Sequence, residues 1–196
     1  MNFPTIYTPR CLIRPLELKD AFSMHTALKA SFKELKKWMP WAQGLASLED
    51  TEYFIHQCIK AWERSLQDRN ERTLVIMDIK NKYFIGSIGL TPLNLLIPSF
   101  EIGYWIDQRL TGQGLMSEAI NGLVHYLWAV HYARRIEIHC EVNNEKSANV
   151  AKRLNFPLEA KMVNARLTAD GKSVVDILLY AMSSDINLPN IEVTWD

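Results

Sequence analysis

One stretch narrows the fold more than any other. Phe100-Glu-Ile-Gly-Tyr-Trp-Ile106 runs through Asp107–Leu110 into Thr111-Gly-Gln-Gly-Leu-Met-Ser117. The first seven residues are rich in apolar and aromatic side chains and predict a strand. Met116, Ala119, Ile120, Leu123, Val124, Leu127 and Trp128 then recur at three- and four-residue spacing, which predicts an amphipathic helix about four turns long. A strand that enters a helix through a glycine loop presents unpaired N–H groups and the positive end of the helix dipole, so an anion can sit there. Gly112 and Gly114 let the chain turn sharply and bring those amides close to an oxyanion. The same glycines also suit a tight turn that binds nothing, and Gly-x-Gly alone does not separate the two readings.

The remaining pattern sets the architecture. Arg10–Leu16 reads as a strand ended by Pro15, and Glu17–Ala30 as a helix. Ser47-Leu-Glu-Asp50 predicts a capped helix start, followed by one buried face at Ile55, Cys58, Ile59, Trp62 and Leu66. After the charged stretch Gln67–Arg72 come strands at Thr73–Ile79 and Tyr83–Thr91, joined by a turn at Asn81-Lys82. Beyond the central helix, Ile136–Val142 reads as a strand and Asn144–Leu154 as a helix capped by Asn144. Leu158–Arg166 and Ser173–Met182 read as strands around Ala169-Asp-Gly171. This order predicts a mixed α/β sheet. Residues 1–183 are expected to form one domain, and the polar segment Ser184–Asp196 a tail to which no element is assigned.

Composition excludes several classes of function. Lys plus Arg and Asp plus Glu are 22 each, so there is no basic excess of the kind that grips a nucleic-acid backbone. Cys11, Cys58 and Cys140 are odd in number and far apart, suggesting neither a disulfide framework nor a zinc cage, and His25, His56, His125, His131 and His139 show no metal-site spacing. No metal is expected. The N-terminus lacks the pattern of a secretory signal, and apolar runs such as Leu93–Pro98 are too short to cross a bilayer. The expectation is a cytoplasmic protein without a membrane or direct nucleic-acid partner.

Two anion-binding motifs fit the glycine loop poorly. A nucleoside-triphosphate loop needs Lys and Ser or Thr after its last glycine, where Leu115 and Met116 stand. A dinucleotide fold needs a third glycine where Ser117 stands and belongs in the first βαβ unit, and Glu141 is loosely spaced for its ribose acid. A third pattern fits better. Leu12-Ile-Arg-Pro-Leu16, Leu35-Lys-Lys-Trp-Met-Pro-Trp41, Glu101-Ile-Gly-Tyr-Trp-Ile106, Gly112-Gln-Gly114, Asn144-Glu-Lys-Ser147, Asn155-Phe156 and Leu158-Glu159 occur in this order. Together they resemble the GNAT superfamily of N-acetyltransferases over about Arg10 to Met182. Within it they resemble the Rim-type subgroup, which acetylates the N-terminal serine or alanine of ribosomal proteins. The resemblance implies a GNAT-type, mostly antiparallel sheet of about seven strands, splayed at its centre and flanked by about four helices.

It also implies acetyl-coenzyme A (acetyl-CoA) as donor, with its pyrophosphate at the glycine loop and its pantetheine arm between the splayed strands. The implied donor-binding residues are Trp105, Ile106, Thr111, Gly112, Gln113, Gly114, Leu115, Met116, Ser117, Asn144 and Ser147. Thr111 takes the place of the superfamily's Gln or Arg, and Met116 that of its last small residue. Asn155 replaces a glycine at a helix end, where Asn is the next-best residue for the left-handed conformation. Many superfamily members carry a general-acid Tyr where this chain has Ala151; the subgroup offers a serine matching Ser147.

The implied reaction is attack of an amine on the thioester. An α-amine has a pKa of about 7.7–8.0, so neutralising it near pH 7 costs about 1 kcal/mol, against roughly 4.6 kcal/mol for a lysine. A weak base suffices. Glu159 is expected in that role from the subgroup, with Glu101 second because it shares a strand face with Gly103 and Trp105. Ser147 is expected to steady the sulfur, and a strand amide near Trp105 or Ile106 the oxyanion. Trp38 and Trp41 are expected to shape the acceptor cleft. The acceptor is expected to be a protein N-terminus; a small amine such as an antibiotic, a coenzyme A sensor without turnover, and a homodimer stay open.

Overall fold

The computed structural model describes residues 3–64 and 71–196. Leu66 and most of the charged stretch at 67–72 lie outside them. Nine strands form one sheet: β1 (Ile6–Tyr7), β2 (Cys11–Pro15), β3 (Arg72–Asp78), β4 (Phe84–Asn94), β5 (Ser99–Ile106), β6 (Arg135–Glu141), β7 (Leu158–Leu167), β8 (Val174–Met182) and β9 (Thr194–Trp195). Among the described residues, four α-helices accompany it: α1 (Ala21–Trp38), α2 (Leu48–Glu63), α3 (Leu115–His131) and α4 (Glu145–Arg153). The strand order is β7-β8-β6-β5-β4-β3-β2-β1-β9, and every neighbouring pair is antiparallel except β5 with β6.

The sheet has nine strands rather than about seven. β1 and β9 are two residues each, too short to show an alternating pattern, and they pair with one another. The tail thus returns to the sheet: Thr5 donates its amide to Asp196 at 2.8 Å, Asn121 donates to the Pro189 carbonyl at 2.7 Å, and Leu188 is buried. Helix α1 runs eight residues beyond the expected end at Ala30, because Ser31 and Leu35 continue its buried face, and stops where Met39 turns extended ahead of Pro40. Ser47 and Asp50 form the anticipated capping box of α2.

Alternation along the strands divides the core in two. Ile13, Leu74, Ile76, Ile88, Ile102, Ile136 and Ile138 pack with the α3 stripe Leu115, Ala119, Ile120, Leu123, Val124 and Leu127. Leu12, Val75, Met77, Phe84 and Trp105 pack on the other face with Met24, Ala27 and Leu35 of α1 and Ile55 and Cys58 of α2. Each large side chain removed from water contributes roughly 1.5–3 kcal/mol, so both faces hold the sheet in place. That leaves the middle of the sheet free to open.

Candidate active site

The opening lies between the two parallel strands. β5 and β6 are paired only at Ser99–Arg135, Phe100–Ile136 and Glu101–Glu137. Past Glu101, β5 pairs only with β4 and β6 only with β8. Asp107 donates its amide to the Ile85 carbonyl at 2.9 Å, and Arg134 donates to Pro98 across the other edge. By alternation, the amides of Gly103 and Trp105 are spent on β4, whereas those of Tyr104 and Ile106 face the gap. The gap forms the centre of a cleft of about 910 Å³.

The donor end is built from backbone. Asp107 is buried, accepts from the Arg109 amide and pairs with its guanidinium; Ser31 of α1 accepts from the Gln108 amide at 2.8 Å. These contacts fix the turn after β5. Gly112 (φ 81°) and Gly114 (φ 78°) both take the left-handed conformation, and Gly114 caps α3. The first bond into α3 runs from Glu118 to the Gly114 carbonyl, so the amides of Leu115, Met116 and Ser117 precede the intrahelical ladder. Glu118 would oppose an anion there, but Arg10 (2.6 Å) and Thr8 (2.8 Å) hold its carboxylate. Thr111, Gly112, Gly114, Leu115, Met116 and Ser117 line the cleft, as do Trp105, Ile106 and Asn144. The residues present fit a pyrophosphate. Gln113 does not line the cleft; its carbonyl accepts from Arg10 at 3.0 Å. Met116 is buried with its side chain toward Gly86, so its bulk lies in the core and not across the loop.

On the α3–α4 face of the gap stands Ser147. Asn144 accepts from its amide at 3.2 Å, capping α4, and its hydroxyl lies 3.0 Å from the Tyr104 hydroxyl. Burial pushes the Tyr104 phenol well above its ordinary range, so it stays a neutral hydrogen-bonding group. Cys140, also lining the cleft, is raised by burial and remains a thiol. Sequence reasoning missed Tyr104; its place on the face opposite Gly103 follows from alternation, but its meeting with α4 does not. Asn155 takes φ 58°, as expected for a left-handed helix end.

On the α1–α2 face stand Glu101, Gly103, Trp105 and His139, with Glu71 across from them. A methyl on Gly103 would meet nothing within 4 Å, so the floor of the cleft is bare there. A methyl on Gly89 would come within 2.5 Å of the Glu71 carboxylate, which lies over that glycine. Desolvation, then the charge of Glu101, raises the Glu71 carboxyl. Trp38 and Trp41 both line this side, and Trp41 is 6.3 Å from Trp105 between ring centroids.

Glu159 does not join them. It starts β7 at the margin of the sheet, about half exposed, and does not line the cleft. Arg135 grips its carboxylate at 2.7 and 2.8 Å and holds it below the usual carboxyl range. Of the two carboxylates expected from sequence, the structure brings Glu101 to the gap and leaves Glu159 outside it.

A splayed sheet with a backbone anion cradle at one end and carboxylates at the other suits a long, phosphate-bearing ligand. The GNAT acetyltransferase domain matches residues 10–157, and the chain belongs to that family as an acetyl-CoA-dependent N-acetyltransferase. It is 28% identical over 181 residues to the ribosomal-protein-serine acetyltransferase of Escherichia coli (strain K12), covering 87% of this chain and 97% of that protein. It is 30% identical over 149 residues to YdaF of Bacillus subtilis (strain 168), which carries a provisional ribosomal N-acetyltransferase name; the match covers 76% of this chain and 79% of that protein. The solved structure of RimL, a ribosomal L7/L12 α-N-protein acetyltransferase in complex with coenzyme A, superposes with a TM-score of 0.78 at 24% identity. It covers 91% of this chain and 96% of that one, a likeness of fold.

Proposed function

We propose that the protein acetylates the N-terminal α-amine of a protein, with ribosomal proteins as the acceptor class that its named relatives favour. The observation that carries this reading is the division of the gap into two faces. Ser147 and Tyr104 stand on one, beside the sulfur of a donor lying between β5 and β6. Glu71 and Glu101 stand on the other, over the bare Gly103, where a cationic amine is drawn in. The outward amides of Tyr104 and Ile106 are the donors available to an oxyanion formed between those faces. An α-amine needs only weak help to lose its proton, so a weak base suffices in such a site. Trp38 and Trp41 give the first residues of a polypeptide an apolar wall. A ribosomal acceptor places the reaction in the cytoplasm.

The test compares peptides beginning with free Ser or Ala against the same peptides blocked at the N-terminus, each supplied with acetyl-CoA. Thiol release and mass analysis are expected to show acetylation of the α-amine of the free peptides alone. Turnover of small amines with none of any free peptide would overturn the reading.

A further inference from the structure

The cleft contains a histidine that the carboxylate reading leaves unused. His139 lies on β6, two residues past the last β5–β6 pair, where the sheet has just opened. Its Nε2 is 2.7 Å from Glu137 Oε2 and its Nδ1 is 2.8 Å from Arg166 Nη2. A guanidinium only donates, so Nδ1 carries the lone pair and Nε2 the hydrogen, which it donates to Glu137. Glu137 is held in turn by Arg135. The imidazole is therefore fixed in one tautomer, with its basic nitrogen turned toward the cleft. Glu101 Oε1 lies 3.6 Å from that same nitrogen and 3.6 Å from Arg166 Nη2. The guanidinium of Arg166, half exposed, thus fills a cation cradle made by an imidazole lone pair and a carboxylate.

Resting on the acetyltransferase reading above, we propose that His139 accepts the proton of the acceptor ammonium and that Arg166 occupies the ammonium's place until the acceptor displaces it. The charged groups around the imidazole are Glu101 from β5, Glu137 from its own strand and Arg166 from β7, with Glu71, just ahead of β3, across the cleft; β8 presents Leu179 opposite it. In the step itself, Nδ1 takes one proton from the ammonium, and the freed nitrogen pair bonds to the thioester carbon. The C–S bond then breaks with its electrons going to sulfur. The second proton on that nitrogen passes to the thiolate, and His139 returns the first to solvent.

The test begins with wild-type thiol release on a free Ser-initiated peptide, since silence there overturns the acetyltransferase reading itself. His139→Ala is expected to lower kcat about 100-fold, keep the thermal stabilisation given by acetyl-CoA, and recover rate when imidazole is added. Glu137→Gln keeps the imidazole but removes its anionic partner, and is expected to move the acid limb of the kcat–pH profile to lower pH. Arg166→Ala is expected to lower KM for the peptide, and a KM that is unchanged or raised overturns the placeholder role of Arg166. With an active wild type, His139→Ala at near wild-type kcat, or a loss that imidazole does not repair, overturns the proton assignment alone. If His139→Ala does not fold, an unmoved acid limb in Glu137→Gln does the same.

Discussion

The two ends of the cleft are made differently. At the proposed donor end the groups on offer are main-chain amides, and the side chains contribute by being absent, as at Gly112 and Gly114, or by being neutralised, as Glu118 is by Arg10. At the proposed acceptor end the groups on offer are side chains from separate segments: Glu71 just ahead of β3, Glu101 on β5, His139 on β6 and Arg166 on β7. A backbone site tolerates change in side-chain identity as long as its dihedrals survive, which is why Thr111 and Met116 can depart from the family pattern. A site assembled from several segments depends on each residue and on the register that brings it there.

The sharpest way to break this contrast is to spoil a dihedral at the donor end. Gly114→Val places a β-branched residue at φ 78°, a conformation costing about 1–2 kcal/mol. Donor affinity is expected to fall about 5- to 30-fold by calorimetry, with KM for the acceptor nearly unchanged. An equal loss on both substrates would show that the two ends are not separable.

A smaller effect is expected from side chains at the gap. Ser147→Ala removes a neutral hydroxyl beside the departing sulfur, and steady-state assays should show kcat lower by about tenfold with unaltered donor affinity. Glu159→Gln should change kcat less than twofold, because that carboxylate is engaged with Arg135 away from the cleft. A large loss in Glu159→Gln would return it to the mechanism.

The smallest expected effect separates binding from stability. Desolvation against the cleft wall raises the Glu71 carboxyl, so the folded protein holds that proton more tightly than the unfolded chain does. Its stabilising contribution is complete at low pH and is lost as pH rises through the folded-state pKa. Glu71→Gln is therefore expected to raise Tm at pH 7 by about 1 °C. The difference should vanish below about pH 4, the ordinary carboxyl range. Weaker acceptor binding in the same variant would mark a residue held at a cost for function.

Much of the fold was legible because its signals are local. The α3 stripe, the capping box at Ser47 and Asp50, and the left-handed Asn155 each depend on residues a few positions apart. The glycine loop was legible for the same reason. The two-residue strands β1 and β9 were not, since neither carries a pattern and each exists by virtue of the other. Glu159 and His139 show the limit most clearly. Alternation of Arg135, Glu137, His139 and Glu141 with Ile136, Ile138 and Cys140 already places the polar set on one face of β6. Nothing local says that this face borders an opening in the sheet, or that Arg135 reaches across to take Glu159 out of play.

By itself, then, the sequence determined the longer elements, the order in which they follow one another and the glycine-bearing mouth of α3, because hydrophobic period and glycine dihedrals act over a single turn or strand. The tertiary structure alone decided which carboxylate faces the gap, that Tyr104 meets Ser147, and that His139 stands between Glu137 and Arg166. Those meetings join residues between 2 and 43 positions apart, and they arise from sheet register and from the splay after Glu101, which are properties of paired strands and not of any one segment.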